Sequence, residues 1–99
     1  MNPNKVDRTR VQHLTDLPNI GKAGAADLRL LGIDKPHQLV GVCPFEMYER
    51  LCKKTGVRHD PCVLDVLISV TRFMDGAAPR PWWAFTAERK QLLNTRKTK

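Results

Sequence analysis

Leu14-Thr15-Asp16-Leu17-Pro18-Asn19-Ile20-Gly21-Lys22-Ala23-Gly24-Ala25-Ala26-Asp27-Leu28-Arg29-Leu30-Leu31-Gly32-Ile33 is the stretch from which the fold is read. Pro18 lacks an amide N–H and cannot continue a helix. Asn19 and Gly21 both tolerate positive φ and are expected to adopt it, so residues 17–21 read as a tight turn in which a β-branched residue at 21 would be strained. A helix is predicted over residues 22–31, where Ala25, Leu28 and Leu31 step by three along one face. Gly32 stands where a C-terminal glycine cap belongs, and Ile33 supplies the apolar residue that follows such a cap. Before the turn, Val11 and Leu14 predict a short helix over residues 10–15.

Downstream, Asp34 can cap a third short helix, with Pro36 near its first turn and Leu39 and Val40 facing inward. Pro44 opens a fourth over residues 44–55, in which Phe45, Tyr48, Leu51 and Cys52 share a face, and Gly56 ends it. Asp60-Pro61 pairs a capping carboxylate with a proline at the first helical position and starts a fifth helix over 61–74. Val63, Val66, Leu67, Val70, Phe73 and Met74 form one apolar stripe of that helix, and Leu64 and Ile68 a second. A helix apolar over so much of its girth is expected to be central and buried. Asp65→Asn should be mild if Asp65 lies only at its surface. Residues 75–81 read as a turn followed by an extended proline segment, and Thr86 can cap a last helix over 87–95. No segment alternates with period two for long enough to make a strand. The expected fold is all-α, with five to six short helices. The N-terminal helical unit packs on the buried fifth helix. Residues 1–9 are expected to be frayed, 10–94 to form a single domain and 95–99 to be a basic flexible tail.

The chain has 99 residues, of which 41% are hydrophobic and 27% charged, an ordinary composition for a globular domain. No apolar run approaches the ~20 residues of a membrane helix, and the first residues lead into charge rather than an apolar stretch. Three cysteines, an odd number, argue for a reducing compartment, so a cytoplasmic location is expected. Cys43, Cys52, His59 and Cys62 lack the short pairs that let two zinc ligands share a turn, so no transition-metal site is expected. The net charge is +7, and Arg89, Lys90, Arg96, Lys97 and Lys99 against Glu88 place +4 of it in the last twelve residues. That balance suits a polyanion such as nucleic acid.

The turn at 19–21 has its own chemistry. The first N–H groups of the helix that follows lack intrahelical partners. Gly21 has no Cβ, the helix dipole adds partial positive charge, and Lys22 stands at the same end. Residues 14–33 resemble the helix-hairpin-helix motif, whose consensus is roughly L-x-x-L-P-G-I-G-x-x-x-A-x-x-L-x-x-x-G-I. Asn19 replaces the first hairpin glycine, and its side chain is expected to crowd an approaching phosphate somewhat. The resemblance implies DNA binding through the backbone with little sequence preference, using Asn19, Gly21, Lys22, Ala23 and Gly24. It also implies that the carbonyls of Thr15, Leu17 and Ile20 can hold a monovalent cation, the one cofactor in prospect. Residues 27–33, 58–66 and 81–90 extend the resemblance. They are similar to a family of small bacterial proteins named for a pathogenicity-locus operon, with members sometimes labelled as mitomycin-resistance proteins.

No enzymatic activity is expected. In bifunctional DNA glycosylases with a similar hairpin, the catalytic lysine lies on the second residue after the last glycine, which here is Ala23. Lys22 is about 100° away round the helix. The aspartate those enzymes carry some eighteen residues later would fall at Gly41. His59, Asp60, Cys62 and Asp65 form the densest polar constellation, but Asp60 and Pro61 are accounted for by helix initiation. Trp82 and Trp83, adjacent in an extended segment, should face opposite ways, one sealing the core and the other open to a base or a partner. With Arg89 and Lys90 they are candidate auxiliary contacts. The competing function is a non-enzymatic protein-interaction module built on the hairpin and Trp82-Trp83.

Overall fold

A computed structural model describes residues 7–97. Four α-helices carry the fold: α1 (Lys22–Leu30), α2 (Pro44–Thr55), α3 (Pro61–Met74) and α4 (Thr86–Lys97). Among the described residues four 3-10 turns accompany them: Arg8–Arg10 and Leu14–Asp16 before α1, Pro36–Leu39 between α1 and α2, and Trp82–Phe85 before α4. Among the described residues there is no strand, and no helix is long and apolar enough to cross a membrane.

The all-helical class is as expected, and the helix count is lower. Two of the six expected helices, over 10–15 and at 34–40, are only 3-10 turns. In each, a side chain caps the first N–H groups as at a helix start, and the backbone then stops the helix within one turn. The Asp16 carboxylate accepts from the backbone of Gln12 (3.1 Å) and His13 (2.9 Å). The Gln38 amide oxygen accepts from Asp34 and Lys35, both at 2.7 Å. Leu17, the residue before Pro18, is extended and ends the first turn; Val40, also extended and followed by Gly41 at φ 75°, ends the second. Val40 consequently turns outward, while Leu39 is buried.

The ends of the longer helices follow from their sequence. The Asp60 carboxylate accepts from the Cys62 N–H at 2.8 Å and caps α3, with Pro61 at its first position. After α1, Gly32 at φ 84° lets its N–H reach the Arg29 carbonyl and the Ile33 N–H reach that of Leu28, each at 2.9 Å. Gly76 closes α3 in the same way.

Helix α3 is the hub, packing against α2, α4, the Trp82–Phe85 turn and the Pro36–Leu39 turn. Leu64, Leu67, Ile68, Val70 and Phe73 are buried along it and join Leu14, Leu17, Ile20, Leu28, Leu39 and Leu51 in one core. Helix α1 packs on the Leu14–Asp16 turn and on α2. Helix α4 extends to Lys97. Residues 1–6 and 98–99, which belong to the expected terminal segments and include Lys99, lie outside the described residues.

Candidate nucleic-acid interface

The bend that feeds α1 is made by Asn19, the sole non-glycine residue with positive φ (67°) among the described residues. Gly21 is the N-cap of α1 and offers no side chain to its N–H groups. The first helical bond of the segment is from the Ala25 N–H to the Gly21 carbonyl, at 2.9 Å. The N–H groups of Lys22, Ala23 and Gly24 have no partner among the described residues. Gly21, Lys22 and Ala23 are exposed, and nothing lies within 4 Å of where a Gly21 Cβ would stand. Gly24 is tighter, since a Cβ there would meet Ile20 Cδ1 at 3.3 Å. Of the expected cation-holding carbonyls, that of Leu17 accepts the Ile20 N–H at a long 3.4 Å.

Two expectations for this turn are corrected. Gly21 does not have positive φ. Its angles are −100° and −163°, extended backbone that a β-branched residue also adopts, so glycine there provides access rather than strain relief. The Asn19 side chain does not crowd the α1 terminus either. It points across to α3 and the proline segment. Its amide nitrogen donates to Ser69 Oγ (3.1 Å) and to the Arg80 carbonyl (2.8 Å), and its oxygen accepts from the Trp82 N–H (3.2 Å). One side chain thus ties the hairpin to the tryptophan turn.

The tryptophans differ from expectation because their segment is a 3-10 turn rather than extended. They do not face opposite ways; they pack edge to face, centroids 5.6 Å apart at 84°. Trp82 is only half-buried and does not seal the core, and Trp83 is 62% exposed.

Arg89 is not a surface cation. Its Nε donates to Asp65 Oδ1 at 2.9 Å, and Thr86 Oγ1 donates to Asp65 Oδ2 at 2.8 Å. Asp65 is fully buried, so the expected surface role is also corrected. The Asp65 carboxylate pushes the Arg89 guanidinium further up from its usual value. Lys90, one residue on, is exposed. A second tie, the bidentate Arg72–Glu88 pair, holds α4 to α3 nearer the surface.

The His59, Asp60, Cys62, Asp65 constellation separates into different tasks. Asp60 caps α3, and Asp65 binds Arg89. His59 Nε2 lies 2.8 Å from Thr55 Oγ1, and its carbonyl accepts from the Tyr48 hydroxyl. The Asp60 carboxylate, as hydrogen-bond partner and as charge, raises the Cys62 thiol above its usual value, the wrong direction for a nucleophilic thiolate. An open cleft of about 380 Å³ lies beside these groups, lined by Tyr48, Arg58, His59, Asp60, Pro61 and Leu64.

The pathogenicity locus family model matches residues 7–91. The chain belongs to the pathogenicity locus family. A relative from Streptomyces lavendulae, named "Mitomycin resistance protein McrB", is 42% identical over 80 residues, which are 81% of this chain and 76% of that protein. No solved structure matches the chain. The hairpin turn, the Asn19 tie, the Asp65–Arg89 pair and the tryptophan turn all lie inside the family match. Arg96, Lys97 and Lys99 lie beyond it.

No local pattern marks Ser69, Thr86 or the Arg80 carbonyl as parts of this arrangement. Each acts through a partner 21 to 61 positions away. The one available hint was an aspartate in the middle of the most apolar helix, a position that demands a buried partner.

Proposed function

We propose that this member of the pathogenicity locus family is a non-enzymatic DNA-binding protein that grips the phosphate backbone with little sequence preference. On this reading residues 14–33 are a helix-hairpin-helix motif whose first helix is reduced to the Leu14–Asp16 turn. The observation that carries it is the start of α1, where three successive N–H groups have no partner among the described residues and the exposed Gly21 before them has nothing within 4 Å of where a Cβ would stand. Such a terminus favours an anion through both N–H donors and the helix dipole. Lys22 adds a charge-assisted contact, and the net charge of +7 favours a polyanion. Phosphates are common to every sequence, so the contact positions DNA without reading it. A monovalent cation on the carbonyls of Thr15, Leu17 and Ile20 would supply a bridge to the same phosphate. The relative's name states a phenotype, mitomycin resistance, and adds no contact chemistry. In the competing reading, a protein-docking module, the exposed Trp83 would meet a protein partner instead of DNA.

A salt titration tests the proposal. With a few phosphates met by Lys22, Lys90 and the terminal cations, the log–log slope of DNA affinity against salt should be about −3 to −5. Deleting residues 95–99 should flatten it. Gly21→Val should fold normally, given the extended backbone and open space, and lose roughly tenfold in DNA affinity, about the value of one charge-assisted hydrogen bond. Salt-independent binding, or a folded Gly21→Val variant with parental affinity, would leave the docking module as the better account.

A further inference from the structure

We propose that Trp83 is a stacking platform for an unpaired base, so that the chain prefers DNA with single-stranded character over blunt duplex. This rests on the DNA-binding reading above and names the kind of DNA.

Trp83 is the sole exposed aromatic residue among the described residues. Phe45, Tyr48 and Phe73 are buried, and Trp82 and Phe85 are half-buried. Leaving an indole in water costs the chain apolar burial. Its edge-to-face contact with Trp82 limits the ring's rotation, and the Asn19 bond to the Trp82 N–H anchors the turn that carries it. A ring held in this way loses little entropy when a base lies on it.

Its position pairs it with the phosphate contact. Asn19, which makes the bend into α1, also holds the Arg80 carbonyl and the Trp82 N–H. From Asn19 to Lys22 is three Cα steps and from Trp82 to Trp83 is one, each about 3.8 Å. The open N–H groups and the indole therefore lie within the span of a few nucleotides.

The charge around them selects the occupant. Lys22, Arg80 and Lys90 are exposed and form no ion pair with a described residue. On α3 and α4, which pack on the tryptophan turn, the acids Asp65 and Glu88 are taken up by Arg89 and Arg72. An exposed aromatic face on a chain whose Lys22, Arg80 and Lys90 are exposed and unpaired by described acids fits a polyanion that carries aromatic rings. In a duplex the base faces are already stacked on one another; in a single strand, an overhang or a branch they are available.

The test uses the full chain in fluorescence anisotropy titrations at one salt concentration. The probes are a mixed-sequence single strand, the same strand with abasic sites in place of its bases, and a blunt duplex. The parent protein should bind the base-bearing strand best. Trp83→Ala should lose about tenfold on that strand, the scale of one base–aromatic stack, and lose nothing on the abasic strand or the duplex. Trp83→Phe should recover part of the loss. Tryptophan emission should be quenched by the base-bearing strand in the parent and much less in Trp83→Phe, where Trp82 alone remains. Gly21→Val should weaken all three probes equally. Equal losses of Trp83→Ala on base-bearing and abasic strands, or no loss on either, would overturn the stacking proposal and leave the hairpin reading standing. Parental affinity in Gly21→Val with selective loss in Trp83→Ala would overturn the hairpin reading instead. A parent that binds none of the probes would overturn both.

Discussion

The hairpin turn and the α3–α4 seam treat polar groups in opposite ways. At the seam, a fully buried carboxylate finds a guanidinium and a hydroxyl, and among the described residues no buried side-chain polar atom is left without a partner. At the turn before α1, the N–H groups of Lys22, Ala23 and Gly24 have no partner among the described residues. Burying an unmet polar group is costly, so the seam had to be completed within the chain. Water can serve the exposed N–H groups, and so can a phosphate. Saturated polar groups mark what holds this fold together, and open ones mark where it can act. Arg89 and Lys22, both cations in the sequence, fall on different sides of that division.

The sharpest way to break the comparison is at Asp65. Asp65→Ala strands a guanidinium whose side chain is only 14% exposed. Removing one partner of a buried pair costs about 3–5 kcal/mol. For a domain of this size that lowers Tm by more than roughly 10 °C. Asp65→Asn keeps the shape but not the counter-charge and should cost roughly 2 kcal/mol rather than be mild. Asp65→Leu combined with Arg89→Met should recover much of the loss, since apolar groups of similar volume replace such pairs well. DNA affinity of the folded protein should not change in any of them. A melt of Asp65→Ala that matches the parent would show that the seam is not held by this pair.

The next effect is smaller and tests the link between the two regions. Asn19→Gly keeps the positive φ, and by motif consensus alone it should be neutral or better for binding. Its side chain, however, makes three hydrogen bonds to Ser69, Arg80 and Trp82. Losing them should cost about 1–2 kcal/mol, because water replaces part of each. Duplex affinity should be kept, since the open N–H groups remain. The preference for a base-bearing single strand should shrink as the tryptophan turn loosens. Parental stability with an unchanged single-strand preference would show that Asn19 serves the turn alone.

The sequence carried most of the helical layout because its signals are local. Asp60-Pro61, Gly32 and Gly56 act within one turn of their own position, and the helices they bound lie within a residue or so of the expected ranges. The central place of α3 followed from the density of apolar residues along it. The segments at 10–15 and 34–40 are single 3-10 turns because Leu17, held extended before Pro18, and Val40, extended before Gly41 at positive φ, stop each after one turn. The long-range polar contacts were not legible. Asn19 and Trp82 are 63 positions apart, and Asp65 and Arg89 are 24 apart, and no spacing rule joins them. Positive φ at Asn19 was legible and at Gly21 was misassigned, since a glycine permits the left-handed region without requiring it.

The smallest expected effect lies at two carboxylates near the surface, Asp16 half-buried and Asp60 exposed. Asp16, before the hairpin, is held below the usual carboxylate range by the backbone N–H groups of His13 and Gln12. Asp60, at the start of α3, is held below it by the N–H of Cys62. In the unfolded chain both titrate near about 3.9. A carboxylate whose folded value is depressed contributes its stability above the unfolded value, and that contribution is lost as pH falls through the folded value. Stability should therefore decline below about pH 4. Asparagine keeps an oxygen acceptor for these N–H groups but does not titrate. The double variant Asp16→Asn with Asp60→Asn should accordingly show a smaller drop in Tm between neutral and acid pH than the parent. Every other carboxylate is common to both proteins, so the difference isolates these two. The single variants then separate the regions. If Asp16→Asn flattens the acid limb of the whole melt as much as Asp60→Asn does, the hairpin unfolds together with the core. If only Asp60→Asn does so, the hairpin melts ahead of α3, and its open donors sit on a less stable part of the fold.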